Sequence, residues 1–229
     1  MFQAFKVHKA LQMKNLKTNG DRNIQTIIKM VLLISLIFLF ATNSSAQIAV
    51  FGGPNFCTVR SDVFLKNKEA IIGSNIGVSI QYHPIKRFEK LSLINELSIS
   101  RKGYDQELGG TYSFRFDYFS LPILFNYKLL GPLSFQTGVE LSSLISTSIR
   151  QGEKTYNNFD TGLAVGLSFQ GGRIVSFYLR GVYGLLPMLD YYAFDELGNF
   201  TGEIHDLKNM CLSIGIKINV FNEKFQSYK

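Results

Sequence analysis

Side chains alternate in character along the stretch Tyr118–Lys128, which reads YFSLPILFNYK. One set is apolar and consists of Phe119, Leu121, Ile123, Phe125 and Tyr127. The other set is smaller and more polar and consists of Tyr118, Ser120, Pro122, Leu124 and Asn126. A period of two residues with high aromatic content predicts a β-strand whose faces meet different environments. A membrane barrel would turn the apolar face toward lipid and the polar face toward its lumen, whereas a soluble sandwich would bury the apolar face.

The same period recurs along the chain and predicts eight strands in total. In the last of them, apolar residues from Met210 to Val220 alternate with a polar set that runs from Cys211 to Asn219. The eight segments are residues 48–57, 75–83, 91–104, 114–128, 133–143, 159–169, 175–180 and 209–221.

The predicted connections between these strands alternate in length. The short ones are residues 84–90, 129–132 and 170–173, and the long ones are residues 58–74, 105–113, 144–158 and 186–208. Short periplasmic turns and longer outer loops are typical of outer-membrane barrels, and an even number of strands then places both termini in the periplasm. We therefore predict an all-β, eight-stranded antiparallel up-and-down transmembrane β-barrel over residues 47–221, followed by a short polar tail at residues 222–229.

Prolines interrupt two of the predicted strands. Pro122 lies in the middle of the fourth strand and has no backbone N–H, so we expect a bulge or a locally open ladder there. The sequence Gly52-Gly53-Pro54 predicts a bend or bulge in the first strand.

The chain has no Trp, so other aromatic residues near the short connections would form the interfacial girdle. These residues are Tyr82, Phe88, Phe125, Tyr127, Phe135, Phe169 and Phe177.

The first 46 residues are predicted to be a signal peptide with a basic leader. Lys29 precedes an apolar run from Val31 to Ala41 that is too short to span a bilayer, and small residues up to Ala46 suit signal peptidase. The alternative start residues are Met1, Met13 and Met30. This segment carries six bases and one acid, so the formal charge of +7 falls to +2 beyond it. A nucleic-acid partner is therefore not expected.

Charged residues occur in the polar set of several predicted strands, which a barrel would turn into its lumen. They are Glu96, Lys102, Glu140, Asp160, Arg180 and Lys217. Glu96 in the third strand and Arg180 in the seventh would face each other across a ring of eight strands. Because an unpaired buried charge costs several kcal/mol, we interpret the set as a structural ion-pair network that fills the lumen. The alternative, a proton or ion path, is disfavoured by the narrow interior of such a barrel.

Two cysteines fall at the outer ends of the first and last predicted strands, which barrel closure makes neighbours. Both Cys57 and Cys211 belong to the inward set. The oxidising periplasm permits a disulfide between them. Because the cross-strand geometry of a disulfide is demanding, the pattern favours the alternative, a pair of neighbouring thiols that act as small lumen fillers.

The longest predicted connection, residues 186–208, is our candidate partner-contacting loop. Its aromatic residues are Tyr191, Tyr192, Phe194 and Phe200, and five acids accompany them. The sequence Leu197-Gly198-Asn199 predicts a hairpin tip. Long surface loops carry function more often than the scaffold does, so we expect a partner to bind here. The alternative is a plain solvated hairpin.

No catalytic motif or metal-ligand cluster stands out in the sequence. The three histidines are separated in the predicted topology, with His8 in the leader, His83 near a short turn and His205 in the last loop. The G-x-S-x-G, Walker and HExxH patterns are absent from the sequence. We therefore expect no catalytic residue, no metal and no cofactor, and we do not expect an enzyme.

Five short motifs resemble, in their order and spacing, the PorT-like outer-membrane β-barrel family. They are FGGPNF at 51–56, ELSISRKG at 96–103, YFSLP at 118–122, FDTG at 159–162 and RGVYGL at 180–185. A Pro in the fourth strand is typical of that family, whereas the residues after Phe221 depart from its usual terminal aromatic. The resemblance implies a barrel that contacts outer-membrane lipid and the barrel assembly machinery. One namesake is linked to a secretion system, so an envelope or secretion-system protein is the partner class considered.

Three functions are compatible with these observations. The first, which we favour, is a small outer-membrane barrel with a side-chain-filled lumen that acts as an envelope or interaction protein through its outer loops. The second is a soluble periplasmic calyx of the lipocalin type that binds an apolar ligand. It would keep Glu96, Glu140, Arg180 and Lys217 on the outside. The third is a lipid-modifying enzyme, which requires a Ser and a His in contact near the bilayer edge.

Overall fold

The computed structural model describes residues 46–61, 68–84, 87–107, 110–148, 156–194 and 200–222. The predicted signal peptide, apart from Ala46, and residues 223–229 of the predicted tail lie outside these ranges. These ranges contain ten strands: β1 (Gln47–Arg60), β2 (Lys68–Tyr82), β3 (Leu91–Glu107), β4 (Thr111–Leu130), β5 (Leu133–Thr147), β6 (Phe159–Gln170), β7 (Val175–Gly184), β8 (Leu189–Phe194), β9 (Phe200–Asp206) and β10 (Lys208–Asn222). Within the described ranges, no helix is long and apolar enough to cross a membrane.

Eight of the strands close into one barrel in the order β1-β10-β7-β6-β5-β4-β3-β2. Every neighbouring pair is antiparallel, and β1 pairs with both β2 and β10. The first strand therefore meets the last, and the predicted eight-stranded antiparallel barrel is confirmed. The remaining two strands, β8 and β9, form a separate two-stranded sheet between β7 and β10.

The two faces of the barrel differ in polarity as the alternation predicts. On the outer face, Ile76 and Ile214 are 66% and 47% exposed, as members of an apolar belt around the barrel. On the inner face, Glu96 and Arg180 are 1% and 2% exposed. A calyx that binds an apolar ligand requires the opposite arrangement, so the calyx hypothesis is wrong.

The strands run further into the predicted long connections than the sequence pattern indicates. Only residues 61–67 separate β1 from β2, and only residues 108–110 separate β3 from β4, so the long loops predicted at 58–74 and 105–113 are wrong in extent. A tilted strand crosses a bilayer with about 9–11 residues, whereas β4 has 20. The excess carries polar outward residues that resemble a loop in sequence. Examples are Glu107 and Thr111, which are exposed and pair with each other in the β3–β4 ladder. Within the predicted strands, Arg101 Nε and Asp117 Oδ1 form an outward ion pair at 2.7 Å.

Both strand prolines lie where one ladder is open and the other is intact. Pro122 keeps its pairing with β5, but the β3–β4 ladder lacks the pairs at Leu121 and Pro122. Pro54 keeps its pairing with β2, but the β1–β10 ladder lacks the pairs at Gly53 and Pro54. Since proline cannot donate a ladder hydrogen bond, the gaps accommodate it. The open ladder expected at Pro122 is confirmed, whereas the register shift of β1 lies at Ile48/Ala49 and not at the Gly-Gly-Pro sequence.

Six of the seven aromatic residues predicted for the girdle are 36–54% exposed; five of them lie in barrel strands, and Phe88 lies in the β2–β3 connection. The exception is Tyr82, which is 3% exposed. Its hydroxyl accepts a hydrogen bond from Asn95 Nδ2 at 3.0 Å. The prediction for Tyr82 is therefore wrong, because a polar partner on the adjacent strand β3 holds its ring against the sheet.

Candidate functional site

The polar face of the barrel brings the six predicted lumen charges into one interior. Glu96 and Lys102 come from β3, Glu140 from β5, Asp160 from β6, Arg180 from β7 and Lys217 from β10. Each residue is between 1% and 8% exposed. Within the lumen they separate into two clusters, each built on one shared ion.

The first group, the Glu96 cluster, consists of Glu96, Arg180 and Lys217. Arg180 donates from Nη1 and Nη2 to Oε2 and Oε1 of Glu96 at 2.5 and 3.0 Å, and Lys217 Nζ donates to Oε1 at 2.9 Å. The planar guanidinium matches the carboxylate with two parallel bonds, which fixes the position of both side chains. One carboxylate therefore serves two cations, and the cluster carries one excess positive charge.

The second group, the Lys102 cluster, consists of Lys102, Glu140 and Asp160. Lys102 Nζ donates to Glu140 Oε1 at 2.7 Å and lies 3.7 Å from Asp160 Oδ2. Ser142 Oγ donates to the same Glu140 oxygen at 3.2 Å, and Asn209 Nδ2 donates to Asp160 Oδ2 at 2.7 Å. Here one cation serves two carboxylates, so the excess charge is negative. The two clusters balance each other across the lumen.

An apolar cap lies against the Lys102 cluster, at the end of the barrel that carries the long connections. Its members are Val59, Tyr104, Phe116, Tyr118, Met188 and Leu207, and each is at most 4% exposed. Lys102 Nζ lies 5.0 Å from the centroid of the Tyr118 ring, which joins the cap to the Lys102 cluster. The sequence reasoning missed this cap. Its only signal was the presence of two large aromatic rings, Phe116 and Tyr118, in a set that is otherwise small and polar.

The hairpin of β8 and β9 is attached to the cap at its base. Met188 N donates to Leu207 O at 2.8 Å, and Asn157 N donates to Met188 O at 2.8 Å. Tyr156 packs edge-on against Phe116 with ring centroids 4.8 Å apart. Burial raises the pKa of the Tyr156 phenol, which lies in the connection before β6. Two connections of the same end are thus packed on one apolar cluster.

The candidate partner loop forms this hairpin. Tyr191, Tyr192 and Phe194 lie in β8, and Phe200 lies in β9 and pairs with Phe194. The register is irregular at Ala193 and Phe194. The predicted tip, residues 197–199, lies outside the described residues.

Cys57 and Cys211 are direct partners in the β1–β10 ladder and form a disulfide. Their Cα atoms are 4.1 Å apart, and the residues are 0% and 8% exposed. Of the two alternatives left open by the sequence, the structure has the bonded one. The bond links the first strand of the barrel to the last.

A polar cavity of about 810 Å³ opens at the end of the barrel that carries the short connections. We call it the short-turn mouth. All eight barrel strands contribute to its lining. Lys217 lines it and also bonds Glu96, so the mouth reaches down to the Glu96 cluster.

Within the described ranges, no group of three or more His, Cys, Asp or Glu side chains could hold a metal ion. His83 follows β2 and His205 lies in β9, whereas His8 lies outside the described residues. The expected absence of a metal and of a cofactor stays a prediction.

A family profile matches the chain, and several solved structures are similar to it. A family profile described as outer membrane protein beta-barrel domain matches residues 40–190. Similar solved structures include Neisserial surface protein A, with 14% identity, 76% of this chain and 97% of that chain covered and a TM-score of 0.45. They also include Ail of Yersinia pestis in complex with the heparin analogue sucrose octasulfate (13% identity, 76% and 99% covered, TM-score 0.43) and OprG of Pseudomonas aeruginosa (12%, 78% and 97%, 0.43). No curated protein matches the sequence. Because the profile covers more than half of the residues, the chain belongs to the outer membrane protein beta-barrel domain family.

Proposed function

We propose that this outer-membrane barrel is a non-conducting, non-enzymatic envelope protein that binds a partner through its β8–β9 hairpin. One observation carries the proposal: the lumen is filled by paired charges, whereas the hairpin is anchored on the apolar cap at one end of the barrel. The ordered motifs between Phe51 and Leu185 support a place in the PorT-like group. The partner class that this group suggests is an envelope or secretion-system protein.

The first support is that the lumen charges are paired with one another. Arg180 and Lys217 are bonded to Glu96, and Arg180 Nη2 also donates to Gln136 Oε1 at 3.2 Å. The interior of an eight-stranded barrel is just wide enough for side chains to fill. A passing ion would have to break buried ion pairs, each of which leaves an uncompensated charge when opened. The lumen therefore favours a structural role for the charges over conduction.

The second support is the attachment of the hairpin. Its base residues Met188 and Leu207 are 2% and 4% exposed in the cap, so the hairpin is fixed to the barrel at both strands. Its sequence carries four aromatic residues, the side-chain type that is enriched at protein interfaces. A rigid base lowers the entropy lost when a partner binds.

We further propose that the short connections face the periplasm. Export through the predicted signal peptide and insertion by the barrel assembly machinery would leave Gln47 and Asn222 on that side. They are paired in the β1–β10 ladder at the short-connection end. The hairpin would then face the cell exterior.

Site-specific photo-crosslinking in the native envelope tests the partner proposal. A photoreactive residue at Tyr191 or Phe200 is expected to give one adduct of defined mass. The same residue at Tyr112, which is 56% exposed beside the β3–β4 connection, is the matched control and is expected to give none. Equal adducts at the hairpin and at the control position would reject the hairpin as the specific contact.

Planar bilayer recordings test the closed lumen. The purified barrel is expected to give no stepwise conductance over a range of voltages. A Glu96→Ala/Arg180→Ala variant, which removes the bidentate pair, is the positive control for the recording. Discrete openings of the unmodified protein would reject the non-conducting role.

A further inference from the structure

We infer that the short-turn mouth is a binding site for a multiply charged anion that carries phosphate or carboxylate groups. The described residues that line the mouth include four cations, Lys90, Lys128, Arg173 and Lys217, against the single acid Glu89. Four strand or turn segments supply the cations, so the charge surrounds the opening. A concave site lined by one sign of charge concentrates field lines and attracts ions of the opposite sign.

Three of these cations have no carboxylate partner among the residues that the structure describes. In the described part of the chain, no carboxylate forms an ion pair with the side chain of Lys90, Lys128 or Arg173. Like charges around one opening repel each other, and a bound anion would relieve this repulsion. Their ammonium and guanidinium donors are thus free to meet a ligand that enters from solution.

The fourth cation, Lys217, connects the short-turn mouth to the buried Glu96 cluster. Lys217 shares Glu96 with Arg180, so the excess positive charge of the Glu96 cluster borders the mouth. Its side chain is 10% exposed, the largest value among the six lumen charges. An ammonium group has three donors, and Glu96 takes one of them. An anion in the mouth would accept from the others.

The neutral part of the lining also suits an oxyanion. Ser134, Ser168 and Ser176 from three successive strands present hydroxyl groups, and Asn126 and Asn219 present amides. The cavity of about 810 Å³ lies within the usual range of ligand sites and is open to solvent. It is large enough for a ligand with several phosphate or carboxylate groups, which could contact cations on opposite sides at once.

Isothermal titration of the intact barrel in a neutral detergent tests the site, with tripolyphosphate and citrate as separate probes. We expect saturable binding of at least one probe, weakened by raising the salt concentration, since the contacts are charged. The double variant Lys90→Gln/Lys128→Gln lies outside the ion-pair clusters and is expected to bind about tenfold more weakly. Tripolyphosphate binding alone would assign the site to phosphates, and citrate binding alone would assign it to carboxylates.

Arg115→Gln is the matched control, because Arg115 is an exposed cation of β4 near the opposite end of the barrel. It is expected to leave the affinity unchanged. The proposal is overturned if neither probe binds at millimolar concentration in low salt, or if Arg115→Gln weakens binding as much as the double variant does. The hairpin takes no part in the titration, so a negative result here leaves the proposed partner interaction standing.

Discussion

Substitution of Glu96 by Gln is the sharpest test of the structural role of the Glu96 cluster. The Glu96 side chain is 0% exposed and accepts three hydrogen bonds, two from Arg180 and one from Lys217. Glutamine keeps the shape but loses the charge, and its amide nitrogen is a donor that would face a donor of the guanidinium. Two buried cations would then share one neutral oxygen.

The expected loss of unfolding free energy follows from this geometry. Removing one partner of a buried ion pair costs about 3–5 kcal/mol, because the other charge stays buried without compensation. The matched control is Asp117→Asn, which breaks the outward pair with Arg101. These side chains are 27% and 46% exposed, so the expected loss is about 0–1 kcal/mol. Lys217→Met combined with Glu96→Gln should recover part of the loss, since one of the two unpaired cations is removed.

Equilibrium unfolding in urea, with the protein folded into lipid vesicles and followed by circular dichroism, measures these differences. Retarded migration of the unheated protein in gel electrophoresis checks that each variant folds. If Glu96→Gln and Asp117→Asn lose the same stability within about 1 kcal/mol, the Glu96 carboxylate does not hold two cations, and the proposed structural role of the cluster fails.

Three further predictions concern the closure between β1 and β10, the lumen and the apolar outer face. Replacing both cysteines of the Cys57–Cys211 disulfide by serine should abolish the mobility difference between reduced and non-reduced unfolded protein. In the chain-entropy description, losing a bond that closes a loop of 154 residues lowers the unfolding free energy by up to about 5 kcal/mol. Gly215→Val should reduce the folded yield, because the Tyr178 ring occupies the space of a Cβ at Gly215, whereas Gly110→Val should not, because nothing lies within 4 Å of a Cβ there. Ile214→Lys, which places a charge on the lipid face, should cost about 2–4 kcal/mol in vesicles.

The sequence allows the barrel and its two faces to be predicted because alternation reports polarity directly. β6 and β10 show this best: Leu163 and Ile214 are exposed, and Asp160 and Lys217 are buried, as the pattern requires. The pattern carries no information on depth along the axis, which is why the cap around Phe116 was missed. It also treats outward polar residues beyond the membrane as loop, which shortened the predicted β3 and β4.

The site was predicted in part for the same reason. That Glu96 faces Arg180 follows from counting strands around a closed ring, and the structure bonds the two. Predicting that Lys217 binds the same carboxylate would require knowing how high Lys217 lies in the lumen. Strand tilt determines that height, and the sequence does not state it. The short-turn mouth was missed because its lining comes from all eight strands, one or a few residues from each.

Strand register is the property that alternation specifies least. A slip of one residue would turn the polar set toward lipid, but a slip of two residues preserves the pattern and moves a strand by about 6.6 Å. Such a slip of β10 would carry Lys217 away from Glu96. We therefore expect the buried ion pairs to select one register among those that the hydrophobic pattern permits, a role documented for some buried polar groups.

Engineered cysteines can report such a slip. Cys57 faces Cys211, and Ser213 faces Asn55, so a two-residue shift of β10 would bring Ser213 opposite Cys57. In a Cys211→Ser/Ser213→Cys background, the cysteine pair is expected to stay reduced when Glu96 is present, and to oxidise in part after Glu96→Gln, as seen by thiol labelling of the folded protein. Full oxidation in the presence of Glu96 would show that the ion pairs do not hold the register, whereas a pair that stays reduced in both backgrounds would assign the register to the backbone ladders and turns alone.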